Sequence, residues 1–298
     1  MNILSKRKID TIAHRAMQGI TILFCSFVLF IALGLLLKSL PILKDNSFLH
    51  LLSSRKWHPL NGEFGMLPFI VSTFWVTGLA ILFSVPLCIL FAIYLTEYAN
   101  SKALKIVYPF IDILSGIPSV IFGVWGILVI VPFIRDYLAP FFGIQSAGYS
   151  ILAGGLVLSI MVIPIIVNVI VEVIKSIPQE LRDASLSLGA TKWQTIKYTV
   201  LRKAKPGIIA AIVLGLSRAF GETLAVIMVV GNVVQIPSNS LQAGYPLPAL
   251  IANNYGEMLS IPLYDSALMF SALILFIIVV IFNLLSRWIL MRVERSNG

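Results

Sequence analysis

The stretch Glu180-Leu181-Arg182-Asp183-Ala184-Ser185-Leu186-Ser187-Leu188-Gly189 is a polar, charged island between two long apolar segments. Ala190-Thr191-Lys192-Trp193-Gln194-Thr195-Ile196-Lys197 and then Leu201 follow it. Ala184 and Ser185 are small enough to let another surface approach closely. Gly189 allows a tight turn, because it lacks the Cβ that penalises left-handed backbone. Leu186, Leu188 and Trp193 offer apolar contacts that a fully solvated connection does not need. The spacing predicts two short helices joined at Gly189 and presented for docking, with Glu180, Asp183, Ala184, Ser185, Leu188 and Gly189 as the contact residues.

The segments on either side set the class. Of 298 residues, 58% are hydrophobic and only 12% are charged, too few charges to cover a soluble domain of this length. The apolar residues fall in runs near the ~20 needed to cross a bilayer. The net charge of +9 gathers in loops on one side, as the positive-inside rule expects. No aromatic–basic interleaving or zinc-ligand spacing supports nucleic acid. Cys25 and Cys88 both sit in apolar runs and give no disulfide framework. Lys6, Arg7, Lys8 and Arg15 precede an apolar stretch, which mimics a signal peptide. The stretch from Ala16 to Leu37 is too long for a signal core, and no small-residue cleavage site follows, so it reads as a retained first helix.

An all-α, polytopic membrane protein with six transmembrane helices is therefore expected, with spans near 16–38, 67–95, 106–134, 150–174, 204–234 and 263–290. Residues 1–15 form an N-terminal segment and 16–298 the transmembrane domain, with the docking loop at 175–203 and a long loop at 235–262. With the N-terminus inside, the inner segments carry sixteen Lys and Arg, the outer segments five, and Arg218 is the remaining one. That bias places both termini in the cytoplasm, the 175–203 loop inside and the 235–262 loop outside. In that outer loop Leu250, Ile251, Asn254, Tyr255 and Met258 recur at helical spacing, consistent with a short interfacial helix.

Pro86, Pro118, Pro132 and Pro164 each remove a backbone donor within apolar sequence. In lipid the freed carbonyl needs another partner, so such breaks face protein or a water-filled cavity. Gly116-Ile117-Pro118-Ser119 with Gly123 and Gly126 is the densest case. Close helix packing and pathway lining, with Ser119 in the lining, are compatible readings of it.

Four ionisable residues lie within apolar runs: Asp112, Glu172, Arg218 and Glu222. Charge in a membrane is costly, at least ~2.5 kcal/mol, and marks a functional site by default. Glu172 lies close enough to a span end to reach headgroups. Asp112 falls about two turns into the third span, either in a pathway or hydrogen-bonded beside the Gly116–Pro118 break. Arg218 and Glu222, flanked by Ser217 and Thr223, are four apart near the middle of the fifth span and would share one helix face. A self-neutralising ion pair explains insertion but not why charge is there. A guanidinium is always charged and presents a planar fork suited to oxyanions. The substrate pathway therefore takes in Arg218, Glu222, Ser217 and Thr223. No His-Glu-x-x-His, Gly-x-Ser-x-Gly or Walker loop occurs, so catalytic residues, a metal site and a nucleotide site are not expected in this chain.

The acid-Ala-small, Gly, then apolar-and-Leu pattern of residues 183–201 resembles the "EAA" loop of ABC importer permeases. Two further segments, Gly116-Ile117-Pro118-Ser119-Val120-Ile121-Phe122-Gly123-Val124-Trp125-Gly126 and Gly215-Leu216-Ser217-Arg218-Ala219-Phe220-Gly221-Glu222-Thr223-Leu224-Ala225-Val226, are similar to the permease subunits of the bacterial high-affinity phosphate (Pst) ABC importer. The Phe-Gly-x-Trp-Gly continuation looks like the C-type subunit rather than the A-type. The general loop pattern is departed from at Asp183, Ser185, Thr199 and Arg202. The resemblance implies a type I importer fold and an inward phosphate permease of the bacterial inner membrane. It further implies a homologous second permease, a cytoplasmic ABC ATPase dimer that uses the ATP, and an extracytoplasmic phosphate-binding protein. It also implies that Arg218 and Glu222 match the family's intramembrane charged pair. A permease for molybdate, sulfate or phosphonate, and an ion-coupled secondary transporter or channel, are the alternatives. The docking loop argues against the last.

Overall fold

The computed structural model describes residues 3–257, 261 and 263–297. Among these, five helices are long and apolar enough to cross a membrane: Ile12–Asp45, Leu67–Tyr98, Ser119–Phe141, Ile151–Lys175 and Tyr264–Trp288. In chain order the elements are α1 (Ile3–Asp45), α2 (Phe48–Ser53), β1 (Trp57–His58), β2 (Glu63–Phe64), α3 (Leu67–Tyr98), α4 (Ser101–Gly116), α5 (Ser119–Phe141), α6 (Ile151–Lys175), α7 (Gln179–Ser187), α8 (192–221), α9 (Leu224–Val229), α10 (Leu247–Asn254) and α11 (Tyr264–Asn297). The small antiparallel hairpin pairs Trp57 with Phe64 and His58 with Glu63. It is the one sheet among the described residues.

Helix α6 is the hub. It packs along α3 and α8, and most of its side chains are buried, Val157, Val162, Ile166, Val167 and Ile170 among them. Pro164 lies inside α6 and Pro86 inside α3, yet both helices continue. Pro132 lies between two wide, five-residue-spaced turns at Gly126–Ile130 and Ile134–Leu138, the local adjustment that lets a membrane helix carry a proline. Helix α1 packs on α11 but leaves most of its apolar side chains from Ile12 to Leu37 exposed. An apolar helix face without protein neighbours suits lipid or another subunit.

Two of the expected spans are corrected. The third, 106–134, is divided at Ile117–Pro118, where the backbone turns extended. Proline disfavours helical backbone in the residue before it, so α4 ends at Gly116 and the crossing helix is α5. Helix α4 is amphipathic: Ile111 is buried against the bundle, while Lys102, Lys105 and Asp112 are exposed. The fifth span, 204–234, is also broken. Helix α8 stops at Gly221, Glu222 is extended (φ −75°, ψ 122°), and α9 begins at Leu224.

After α9 the chain runs without regular structure to Pro246, but several backbone groups along it are held by protein. Leu152 N–H donates to the Ser240 carbonyl (2.8 Å), Ile151 N–H to Gln242 (2.9 Å), and Gly244 N–H to Val230 (3.1 Å). Tyr245 N–H donates to the Ser72 hydroxyl (3.1 Å) and Leu247 N–H to Thr73 (2.9 Å). Irregular backbone packed among such helices is stable only when its groups are paired this way. The short helix expected around 250–258 is α10, starting three residues earlier; Met258 lies outside the described residues. The end of the bundle that α10 closes is an aromatic cap. Trp57 packs on Phe64, Phe69 and Tyr264 at 5.6, 5.1 and 6.2 Å between rings. Asn253 and Asn254 both donate to the Tyr245 hydroxyl, at 3.0 and 2.9 Å, and the Tyr264 hydroxyl donates to Asn254 Oδ1 at 2.7 Å. Burial pushes the Tyr245 phenol above its ordinary value.

Gly123 and Gly126 resolve as packing residues. A Cβ on Gly123 would lie 2.6 Å from Met228 Sδ and 3.2 Å from Ala225 Cα, and one on Gly126 2.7 Å from Val157 Cγ2. The absence of side chains lets α5 lie against α9 and α6. Gly123→Val is expected to cost about 1–3 kcal/mol through overpacking, read as a lower thermal midpoint of the detergent-solubilised protein. An unchanged midpoint would mean that α9 yields without cost.

Candidate functional site

Two regions gather the residues singled out above, at different depths of the bundle. The first is the hairpin of α7 and α8. Helix α7 covers Gln179–Ser187 and has no buried residue. The chain turns at Gly189, whose φ is +84° with nothing within 4 Å of where a Cβ would stand. The turn therefore needs glycine for its backbone, not for space. Thr191 and Gln194 then form a reciprocal capping box that starts α8, satisfying two otherwise orphaned N–H groups. Glu180, Asp183, Ala184, Leu188 and Gly189 are exposed, Leu188 to 89%. Trp193, Leu186 and Leu181 are exposed with them. This apolar patch rimmed by charge is the kind that marks a protein-interaction surface. Ser185 is the exception: it is half-buried, and its hydroxyl meets that of Thr195 at 2.9 Å, tying the two arms together.

Sequence reasoning missed what lies behind the hairpin. Arg182 reaches Glu97 at the end of α3, with Nη2 and Nε 3.0 and 3.2 Å from Oε1. It also donates to the Ile174 and Ile177 carbonyls at 3.0 and 2.7 Å. Lys192 donates to the Glu97 carbonyl and lies 4.4 Å from the Tyr98 ring centre. Lys175 donates to the Tyr108 hydroxyl at 2.7 Å. Arg182, Glu97, Lys192 and Lys175 border a cleft of about 890 Å³ between α7 and the ends of α3 and α6.

The second region is the break at Glu222. The expected shared face of Arg218 and Glu222 does not exist, because the helix ends between them. Gly221 is a poor helix residue, and Glu222 keeps only a long bond from its N–H to the Ala219 carbonyl (3.4 Å). Glu222 is half-buried in a small cavity bordered by Thr73, Thr77, Ala219, Phe220 and Pro246. Arg218 is exposed on another side of α8, and among the described residues neither side chain forms an ion pair or hydrogen bond. The Ser217 hydroxyl donates to Asn283 Oδ1 of α11 (3.1 Å), and that of Thr223 to the Gly221 carbonyl (3.3 Å). Ser217 thus faces within the subunit while Arg218 faces out of it, beside exposed Leu214 and Leu224. Asp112 is exposed on α4, not within a crossing helix, and Ser119 is half-buried at the first turn of α5. The structure thus brings Glu222 and Thr223 together at the break. It separates Arg218 and Ser217 by face and leaves Asp112 apart from the crossing helices. Among the described residues no His, Cys, Asp and Glu side chains cluster as metal ligands.

A family model described as binding-protein-dependent transport system inner membrane component matches residues 84–297. Among curated relatives, the probable ABC transporter permease protein YqgH of Bacillus subtilis (strain 168) is 38% identical over 240 residues, covering 80% of this chain and 76% of its own. The phosphate transport system permease protein PstC of Xylella fastidiosa (strain 9a5c) is 36% identical over 259 residues, covering 82% and 79%. Among solved structures, a bacterial alginate ABC transporter bound to its alginate-loaded periplasmic protein superposes with a TM-score of 0.63 at 19% identity, over 97% of this chain and 99% of that one. The MetNI methionine ABC transporter in an inward-facing conformation gives 0.54 at 23% identity, over 77% and 94%. The structural likenesses carry the fold.

Proposed function

The chain belongs to the inner membrane components of binding-protein-dependent transport systems, and from that premise we propose that it is a permease subunit importing inorganic phosphate, powered by ATP hydrolysed on another protein. The fold is that of ABC importer permeases, and the chain is a multi-pass membrane protein. Phosphate is the reading carried by the relatives named as phosphate permeases, 31–36% identical over most of the chain. The single observation in the molecule that supports it is Arg218: a fixed cation, without a side-chain partner among the described residues, on an otherwise apolar helix face. A charge so placed needs water or another subunit beside it. A homologous permease opposite this face would leave a seam in which the guanidinium meets a passing oxyanion. Binding there must be weak enough for release.

The exposed α7 hairpin would take the ATPase, with Glu180, Asp183, Ala184, Leu188 and Gly189 at the contact, and the aromatic cap at the opposite end would face the substrate-delivering protein. Closure of the ATPase dimer would then alternate the seam between two openings. The basic bias of the loops supports a topology with both termini in the cytoplasm. Cysteines introduced at the exposed positions Lys197 and Ser238, in a background lacking Cys25 and Cys88, should react from opposite sides of the membrane. Reaction of both with an impermeant reagent added to intact cells would refute this topology.

The substrate is tested by competition. Cells whose phosphate uptake depends on this chain and its partners should lose uptake of labelled phosphate to unlabelled phosphate, and not to sulfate, molybdate or phosphonate. Equal competition by sulfate or molybdate would favour the broader oxyanion reading.

A further inference from the structure

We infer that Arg182 is a positioning residue that fastens α7 to α3 and α6, so that the hairpin and the two most closely packed helices of the bundle move as one body. The inference rests on the importer reading above, since it concerns how force applied to α7 reaches the pathway. Its basis is the geometry behind the hairpin. The guanidinium places two nitrogens on one Glu97 oxygen and the remaining donors on two carbonyls at the C-terminus of α6. Four bonds from one planar fork fix its orientation, which a lysine ammonium does not do. The Arg182 and Glu97 side chains are only 12% and 10% exposed. The pair is therefore shielded from salt and water, unlike the surface pairs Lys56–Glu63 and Lys38–Asp265. From the other arm, Lys192 holds the carbonyl of the same Glu97 and covers Tyr98. Both arms of the hairpin thus grip one turn at the end of α3.

That turn leads directly to the break. Helix α3 is continuous from Tyr98 back to Leu67. It carries Thr73 and Thr77, which border the Glu222 cavity, and Ser72 and Thr73, whose hydroxyls hold residues 245 and 247. A rigid helix of this length transmits a displacement at one end to the other without a chain of intermediates. An α7 joined to the bundle only by its two flexible connections would move alone and leave Glu222 and the 245–247 segment in place.

The test uses the complete importer reconstituted in proteoliposomes: this chain, its second permease, the ATPase and the loaded binding protein. Arg182→Gln should hydrolyse ATP while moving about tenfold less phosphate per ATP, since breaking one partner of a shielded pair is strongly disruptive. Arg182→Lys, which keeps the charge, should not restore the ratio. Spin labels on cysteines at Ser187 and Tyr94 give a readout that does not depend on the substrate. In the parent complex their separation should be the same at rest and with the ATPase trapped by vanadate. In Arg182→Gln it should shift on trapping. A shift in the parent complex, or a parent-like ratio in Arg182→Gln, overturns the inference. Where Arg182→Gln does not assemble, Glu97→Gln takes its place, keeping a neutral acceptor. Its ratio should also fall, and a parent-like ratio with an unchanged label separation overturns the inference equally. A parent complex that hydrolyses ATP but moves no phosphate counts against the substrate reading, and the label separations still decide the role of Arg182.

Discussion

Replacing Arg218 with alanine is expected to cut phosphate uptake roughly ten- to hundredfold, the loss that matches one charged hydrogen bond of about 1.5–3 kcal/mol. The side chain is exposed and has no partner among the described residues, so its removal orphans none of them and assembly with the ATPase should be normal. Arg218→Lys should be nearly as defective, because a compact ammonium lacks the planar fork. The break between Arg218 and Glu222 adds a sharper expectation. Two residues that face different sides, with no shared partner, should act independently. The double variant Arg218→Ala/Glu222→Gln should therefore show the product of the two single effects on uptake. A double variant no worse than Arg218→Ala would mean that the two work as one pair in some state of the cycle. Normal uptake by an assembled Arg218→Ala protein would remove the arginine from the pathway altogether.

Gly189→Val is expected to separate ATP hydrolysis from transport. A β-branched residue at φ +84° carries a backbone penalty of at least about 1–2 kcal/mol. Open space around Gly189 means that the strain cannot be blamed on a clash. The turn is expected to re-form with a different angle between α7 and α8, shifting the exposed Leu188 patch while the buried helices stay as they are. Membrane levels should match the parent, and uptake per ATP hydrolysed should fall at least about tenfold. Gly189→Asn, which tolerates left-handed backbone, should retain most of the coupling. Equal loss in the Asn and Val variants would show that the position matters for contact with the partner and not for the turn.

What could be read from the sequence divides by the range of the interactions involved. The turn at Gly189 is local chemistry, a left-handed glycine, and the loop pattern made it legible; the second arm, expected as a short helix, is instead the first turns of the long α8, begun by a Thr191–Gln194 capping box. Helices α3, α6 and α11 are unbroken apolar runs and were equally plain. Helix α4 was not, because Ile106, Phe110 and Ile113 average with their neighbours into an apolar run and hide the exposed Lys102, Lys105 and Asp112. Pro118 was the available signal, and it marks a true break instead of a kink. Gly221 gave a weaker warning at Glu222, where the apolar residues on both sides suggested one span. The Arg182–Glu97 pair could not be found by pattern at all: its members are 85 positions apart and meet only because α3 and α6 pack side by side. The shared face expected of Arg218 and Glu222 failed for the related reason that a four-residue spacing defines one only in an unbroken helix.

The central claim is that this chain moves phosphate only as one part of an ATP-driven assembly. Proteoliposomes containing the purified chain alone, and others containing it with its second permease, the ATPase and the phosphate-loaded binding protein, are to be compared for uptake of labelled phosphate with and without ATP. Uptake is expected only with all components and ATP present. Phosphate movement by the chain alone, without any ATPase, would contradict the account.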